Sequence, residues 1–402
     1  MKRRKFLTTL GASSLLVPAL PTLDWTSFAA VDAKAPRTLV LLELNGGNDG
    51  LNTIIPLHDP LYARYRPKLA LPRKDLFRVN DDLGWHPRLN PLSKAFEKGG
   101  IAVVNNVGYP SPNRSHFRSM DIWHSGIPDR VETQTGWLGR ALARQAKLKT
   151  ETAKAFELFS LGSGSVPLAF AGAPQSVTAL SKLEDLAAKG GKKQKLAVEK
   201  QLGGRASGSK DLDFIQKAAR GALDMGERLE QTKERLKASR DKYPQTTLGR
   251  ELRLVAALIR SGFDHAIYHV RLSGFDTHAL QDQTHPPLLG IFASALQAFM
   301  DEIASASLDD RVMTVAFSEF GRRVRENASS GTDHGAAGPM IIAGGKAKAG
   351  VFGGPINLED LAAGDLKARV DFRSVWGSIG KSWLNLPLEP TFGPKNAPAF
   401  LA

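Results

Sequence analysis

The chain has 402 residues, 42% of them hydrophobic and 23% charged, a globular composition with length enough for a large buried core. It has no cysteine, which excludes disulfides, zinc–thiolate sites and cysteine nucleophiles, so any metal must be held by His, Asp or Glu. The formal net charge is +14, and Lys2, Arg3, Arg4, Lys5 and Lys34 outweigh Asp24 and Asp32 at the N-terminus. Such a surplus can attract nucleic acid, anionic lipid or an anionic small-molecule substrate, but with no interleaved aromatic stripe the preferred reading is a basic protein with no polyanion partner and no specific nucleic-acid binding.

Residues 1–35 read as an export signal. Met1-Lys2-Arg3-Arg4-Lys5-Phe6-Leu7 is a basic start, followed by an apolar stretch from Leu10 to Leu20 that is too short to span a bilayer comfortably. Small residues at Ser27-Phe28-Ala29 and Ala33-Lys34-Ala35 suit a signal peptidase. Arg3-Arg4 with Phe6-Leu7 one residue on looks like a twin-arginine motif. The expected partner is therefore the twin-arginine translocase, and the expected destination is the periplasm or the medium. That route carries folded cargo, which often takes up its metal before export. No other segment reads as a membrane span, so no stable membrane anchor is expected.

The mature part, 36–402, begins with a buried strand at Thr38–Leu44. Further apolar, β-branched runs follow at Ile101–Val107, Phe156–Leu161, Ala266–Leu272, Val312–Phe317 and Pro339–Ala343, with helical segments between several of them. This alternation predicts an α/β fold with a mostly parallel central sheet. From about 182 to 245 the composition shifts to Lys, Glu, Ala and Gln; there we expect a helical insertion, with a long solvated helix over Asp211–Tyr243.

In open α/β sheets, ligands bind beyond the carboxyl ends of the strands, and this chain places its unusual polar residues there. Asn45-Gly46-Gly47-Asn48-Asp49-Gly50 follows the first strand, and Asn113-Arg114-Ser115-His116 follows the second. Asp276-Thr277-His278, then His285, follow the strand at Ala266–Leu272, and Ser318-Glu319-Phe320-Gly321-Arg322 follows Val312–Phe317. Thr332-Asp333-His334-Gly335 precedes the strand at Pro339–Ala343 and needs its own loop to reach the same edge. Mixed Asp and His are ligands for divalent cations such as Zn, Mn, Mg or Ca. Ser115 stands at a helix start, where the dipole favours an alkoxide or a bound anion; the plain alternative is an N-cap. Arg114 is either a bidentate clamp for an anionic oxygen or a surface arginine.

These segments resemble the DUF1501 family, exported bacterial proteins of unknown function that commonly carry a twin-arginine signal. The matching stretches are Leu44 to Asn52, Arg114-Ser115-His116-Phe117, Gly274 to His278, Ser318 to Arg322, Thr332 to Gly335 and Val370 to Arg373. That family is in turn similar to alkaline phosphatases, phosphodiesterases and sulfatases, which share an α/β/α sandwich. The resemblance implies a Ser115 nucleophile and one metal site of Asp49, Asp333 and His334. It implies a second site of Asp276 with His278 or His285. The superfamily's late histidine has no counterpart after His334, so Glu319 or Asp371 stands in or the second metal is absent. Pro110 occupies the position a sulfatase converts to formylglycine, so that subclass does not fit. The leading expectation is a metal-dependent hydrolase of phosphate or sulfate esters in which Ser115, Arg114 and Glu319 act at the reacting group. The alternative is an exported binding or assembly protein that keeps the fold without catalysis.

Overall fold

The computed structural model describes residues 36–128, 133–148, 155–162, 166–180, 227–345, 347–393 and 399–401. The expected signal at 1–35 and most of the expected insertion lie outside the described residues; of the insertion, 227–238 are helical.

The strands of the main sheet, in chain order, are β1 (Thr38–Asn45), β2 (Ile101–Gly108), β3 (Glu157–Leu161), β4 (Val177–Leu180), β5 (Ala266–Ser273), β6 (Val312–Phe317), β7 (Gly338–Gly344), β8 (Gly350–Phe352) and β9 (Val370–Asp371). Their spatial order is β8-β2-β7-β6-β1-β5-β3-β4, with β9 pairing beside β2. All run parallel except β7, which is antiparallel to both β6 and β2. The central strands are buried on both faces, which is why they read as near-continuous apolar runs. A small three-stranded sheet of Ile54–Pro56, Leu83–Trp85 and Phe77–Arg78 stands apart.

The helices that matter for the site are α1 (His116–Ser125), α2 (Trp137–Lys147), α3 (Thr247–Arg260), α4 (Gln281–Ser305) and α5 (Phe372–Ser378). Alternation along β1 sends Val40, Leu42 and Leu44 to one face, against Leu252 and Val255 of α3 and Phe292 and Leu296 of α4. Leu39 and Leu41 face the other side, against Trp123 of α1, Trp137 of α2 and Trp376 of α5. Helices therefore cover both faces, and the α/β/α sandwich is present. Trp137 stacks on Trp376 at 5.5 Å between ring centroids, locking α2 to α5. Thr246 caps α3 by accepting from Gly249 N, and Asp371 caps α5 by accepting from Arg373 N.

Two expectations are corrected here. No segment beyond the signal reads as membrane-length, yet the 25 residues of α4 are long and apolar enough to span a bilayer. The helix is apolar because it packs in the core: Leu289, Phe292, Leu296, Phe299 and Ile303 are at most 2% exposed. The second concerns Asp333-His334, which needs no returning loop. Because β7 runs against its neighbours, its first residue lies at the edge where β1, β5 and β6 end.

Candidate metal centre

One buried arginine assembles the rim. Arg322 Nε donates to Gly47 O at 2.7 Å and Nη1 donates to Thr332 O at 2.8 Å. Its Nη2 serves Phe275 O at 2.9 Å, Asp276 Oδ1 at 2.7 Å and Gly46 O. The loops after β1 and β5 and the loop joining β6 to β7 thus share a single guanidinium, whose planar fork suits several fixed acceptors. The close approach explains the glycines. Gly46 has φ +119° and Gly47 φ +78°, and a Cβ on either would strike the Phe275–Asp276 backbone or the Phe320 ring.

Around that arginine, three donor atoms form a tight triangle. His278 Nε2 lies 2.9 Å from His334 Nε2, and each lies 3.1 Å from Asp276 Oδ1. His116 Nε2 approaches Asp276 Oδ2 at 3.3 Å. The cluster opens to solvent on one side: the Asp276 side chain is 47% exposed and that of His278 44%. Burial pushes the Asp276 carboxyl up, but the hydrogen bond and charge of Arg322 outweigh it, and the carboxyl comes down to about 2. It is therefore an anion at any neutral pH. The hydrogen bond to Glu319 raises His116 against the opposing effect of burial.

The far side of each ring decides what faces the triangle. His334 Nδ1 meets Arg114 O at 2.7 Å, a carbonyl that can only accept, so Nδ1 carries the hydrogen. His278 Nδ1 meets Asp333 Oδ1 at 3.1 Å, and His116 Nδ1 meets Glu319 Oε1 at 2.8 Å. With every Nδ1 donating to oxygen, neutral rings turn Nε2 lone pairs toward one another and toward a carboxylate. Acceptor would face acceptor at 2.9 to 3.1 Å, and buried His116 Nε2 has no hydrogen-bond partner. A cation resolves the clash. Ligand bonds of ~2.1 Å place neighbouring donors roughly 3.0–3.4 Å apart, matching this triangle. Oxygen partners on the distal ring nitrogens are the usual outer support of metal-bound histidines. The residues present therefore fit a divalent metal.

A second group fails the same test. Glu43, His124 and His269 are buried together, with His269 Nε2 3.0 Å and His124 Nε2 3.3 Å from Glu43 Oε2. Arg271 already holds Glu43 Oε1 at 2.7 Å, and His269 Nδ1 is buried without a hydrogen-bond partner. His269 can donate Nε2–H to Glu43 Oε2, His124 Nε2 stands 3.3 Å from the same oxygen, and Arg271 supplies the balancing charge, so this group closes as an ion cluster that ties α1 to β1 and β5.

Of the residues predicted from sequence, Asp276, His278, Asp333 and His334 come together, with Asp333 supporting His278. Glu319 lies beneath them, fully buried, accepting from Gly46 N at 2.9 Å and orienting His116. Ser115 is the exposed N-cap residue of α1, and its side chain makes no capping bond. Arg114 pairs with Asp365, while its carbonyl fixes His334. Asp49 departs from expectation. It is completely buried, with Oδ2 2.5 Å and Oδ1 2.9 Å from Arg66 and a further bond from Gln281. Burial opposes its ionisation, but Arg66 overcomes this and lowers it. Both oxygens are spent, so Asp49 is an anchor of the glycine loop and not a ligand. Asp371 is also elsewhere, capping α5 and pairing with Arg373.

His285 is likewise corrected. It lies in α4, 1% exposed, with Nε2 2.9 Å from Asn48 Oδ1, and burial pushes it down to about 4. An unfolded histidine takes up its proton near pH 6.5, so the native state resists protonation in between and loses stability as pH falls from 6.5 to about 4. The full effect is on the order of 3 kcal/mol. Denaturant unfolding at pH 7.5 and 4.5 should show His285→Gln losing less stability on acidification than the parent; equal losses would contradict this.

Sequence reasoning missed His116, Arg322, Gln281 and Arg66. His116 is legible as the residue after the predicted nucleophile, and Arg322 as a basic residue inside a glycine-flanked strand-end loop. Gln281 and Arg66 carry no local signal.

Residues 36–362 match the family described as "Protein of unknown function (DUF1501)". The chain belongs to the DUF1501 family. No curated protein is significantly similar to it in sequence. Among solved structures, this DUF1501 chain is similar to the C-terminal periplasmic domain of EptC from Escherichia coli in complex with Zn. The identity is 11% and the TM-score 0.38, over 77% of this chain and 73% of that one. A TAB5 alkaline phosphatase mutant with Mg bound, from an Antarctic bacterium, gives 11% identity and a TM-score of 0.34 over 79% and 94% of the two chains. The soluble domain of lipooligosaccharide phosphoethanolamine transferase A from Neisseria meningitidis gives 12% and 0.33 over 78% of each. Similarity this low does not define the chemistry of the DUF1501 chain, which its own side chains must supply.

Proposed function

We propose that this DUF1501 protein is an exported, metal-dependent hydrolase of phosphate or sulfate esters. The cation is held by Asp276, His278 and His334, with His116 as a fourth donor. The observation that carries the reading is the triangle of His278 Nε2, His334 Nε2 and Asp276 Oδ1 at 2.9, 3.1 and 3.1 Å, with the distal nitrogens of both rings bonded to oxygen. A donor set of imidazoles and one carboxylate suits zinc or a neighbouring first-row ion better than magnesium or calcium. Bound there, the cation supplies Lewis acidity toward an ester oxygen and lowers the pKa of a nearby hydroxyl.

The protein's own groups complete the arrangement. Ser115 is solvent-accessible and held between two members of the cluster, since the carbonyl before it receives His334 Nδ1 and the residue after it is His116. The first N–H groups of the ten-residue α1 lack helical partners and favour an anion at that end. Glu319 fixes the His116 ring. Arg114 has five N–H donors, and its pairing with Asp365 leaves others for an anionic oxygen. The N-terminal Arg3-Arg4 motif supports export by the twin-arginine route.

The test is hydrolysis of 4-nitrophenyl phosphate, bis(4-nitrophenyl) phosphate and 4-nitrophenyl sulfate by zinc- or manganese-loaded protein. Turnover of at least one is expected, falling at least ~100-fold in Ser115→Ala. Rates on all three no higher than those of Ser115→Ala would refute the reading.

A further inference from the structure

Gln281 begins α4 and is 1% exposed, yet its one amide meets three loops. Its Oε1 accepts from Thr277 Oγ1 at 2.9 Å and from Thr332 Oγ1 at 2.6 Å, and its Nε2 donates to Asp49. Thr277 sits between Asp276 and His278, and Thr332 directly precedes Asp333-His334. Every corner of the donor triangle is thus within two residues of a hydroxyl that reports to the same oxygen. Thr332 N also donates to Thr277 O at 3.1 Å, so the two loops are stitched by backbone as well.

The amide cannot turn over. Asp49 is an acceptor only, and its charge is fixed by Arg66, whose Nε and Nη2 are themselves held by Val324 O at 2.9 Å and Arg323 O at 3.0 Å. A flipped Gln281 would point oxygen at that carboxylate. The Asp49–Arg66 pair therefore dictates that Oε1 faces the two threonines and that both hydroxyls donate to it. Thr277, Thr332, Asp49 and Arg66 are at most 3% exposed, so water does not compete for these bonds.

We infer that Gln281 is the positioning residue of the metal centre: held by Asp49 and Arg66, it sets the separation of His278 from His334 through Thr277 and Thr332. This rests on the metal-centre reading above. Gln281 touches none of the donor atoms itself; it acts through the two loops.

The experiment compares Gln281→Leu, Thr277→Val and Thr332→Val with Thr277→Ser and Thr332→Ser in the full chain. The readouts are Zn²⁺ affinity by competition with a chromophoric chelator, the visible spectrum of the Co²⁺-loaded protein, and the thermal midpoint without metal. We expect Zn²⁺ binding about 10- to 100-fold weaker in the Leu and Val variants, with altered Co²⁺ bands. The serine variants, which keep the hydroxyl, should bind as the parent does. Folded Val variants with parental Zn²⁺ affinity and Co²⁺ spectrum would overturn the inference even if their midpoints fell. Should Gln281→Leu fail to fold, the two Val variants decide. A parent that binds neither ion sinks the metal reading alone. The inference is then judged on the ring nitrogen resonances of His278 and His334 in metal-free protein, which move in Thr332→Val if it holds and stay if it fails.

Discussion

Replacing Arg322 with methionine is expected to destabilise the protein by about 4 kcal/mol or more and to abolish metal binding. The arginine side chain is fully buried and donates to the carbonyls of Gly46, Gly47, Phe275 and Thr332 and to the Asp276 carboxylate. Methionine fills much of the space but leaves the carbonyls of Gly46, Gly47 and Thr332 without this donor, each worth about 1–3 kcal/mol when buried and unpaired, while Phe275 O keeps Thr277 N at 2.9 Å. Three loops then lose their common anchor, and Asp276 loses the guanidinium that lowers its carboxyl. Arg322→Lys should rescue little, because one ammonium cannot reproduce a planar fork aimed at three directions. Denaturant unfolding and zinc content measure both effects; a loss under ~1 kcal/mol with zinc retained would contradict this role.

The second large effect concerns Asp49 and Arg66. Arg66→Met alone should cost about 3–5 kcal/mol, since it strands a fully buried carboxylate. Adding Asp49→Asn to it should recover a substantial part, because the double variant no longer buries an unpaired charge. The single Asp49→Asn variant should still take up zinc at saturating metal, whereas His334→Ala should not. Loss of zinc in Asp49→Asn as complete as in His334→Ala would return Asp49 to the coordination sphere.

That pair also marks where sequence reasoning stops. A carboxylate in a glycine-rich loop after the first strand looks the same whether it will meet a cation or an arginine. Its partner, 17 residues on, belongs to a separate segment and carries no periodicity to announce it. The strand runs were legible because a sheet covered on both faces must be apolar throughout. β4, β8 and β9 were not, being two to four residues at or near sheet edges, with little burial to leave a pattern. The direction of β7 was equally hidden: Pro339 to Ala343 reads as a core strand either way, and the antiparallel pairing with β2 and β6 brings Asp333-His334 to the rim. The mixed Asp/His strand-end loops were readable as candidate cation ligands, whereas the choice of corners required the ring orientations. His278 and His334 are set by what their Nδ1 atoms meet, a carboxylate from the same rim and the Arg114 carbonyl from the start of α1. His285, similar in sequence context, turns into the core toward Asn48.

The most direct measurement is elemental analysis of the purified chain after zinc loading and removal of free metal by dialysis. It should be run on the parent and on Asp276→Ala, His278→Ala and His334→Ala. The account predicts about one tightly held zinc per parent chain and its loss in each variant. A parent without stoichiometric metal, or histidine variants that retain it as the parent does, would contradict the account.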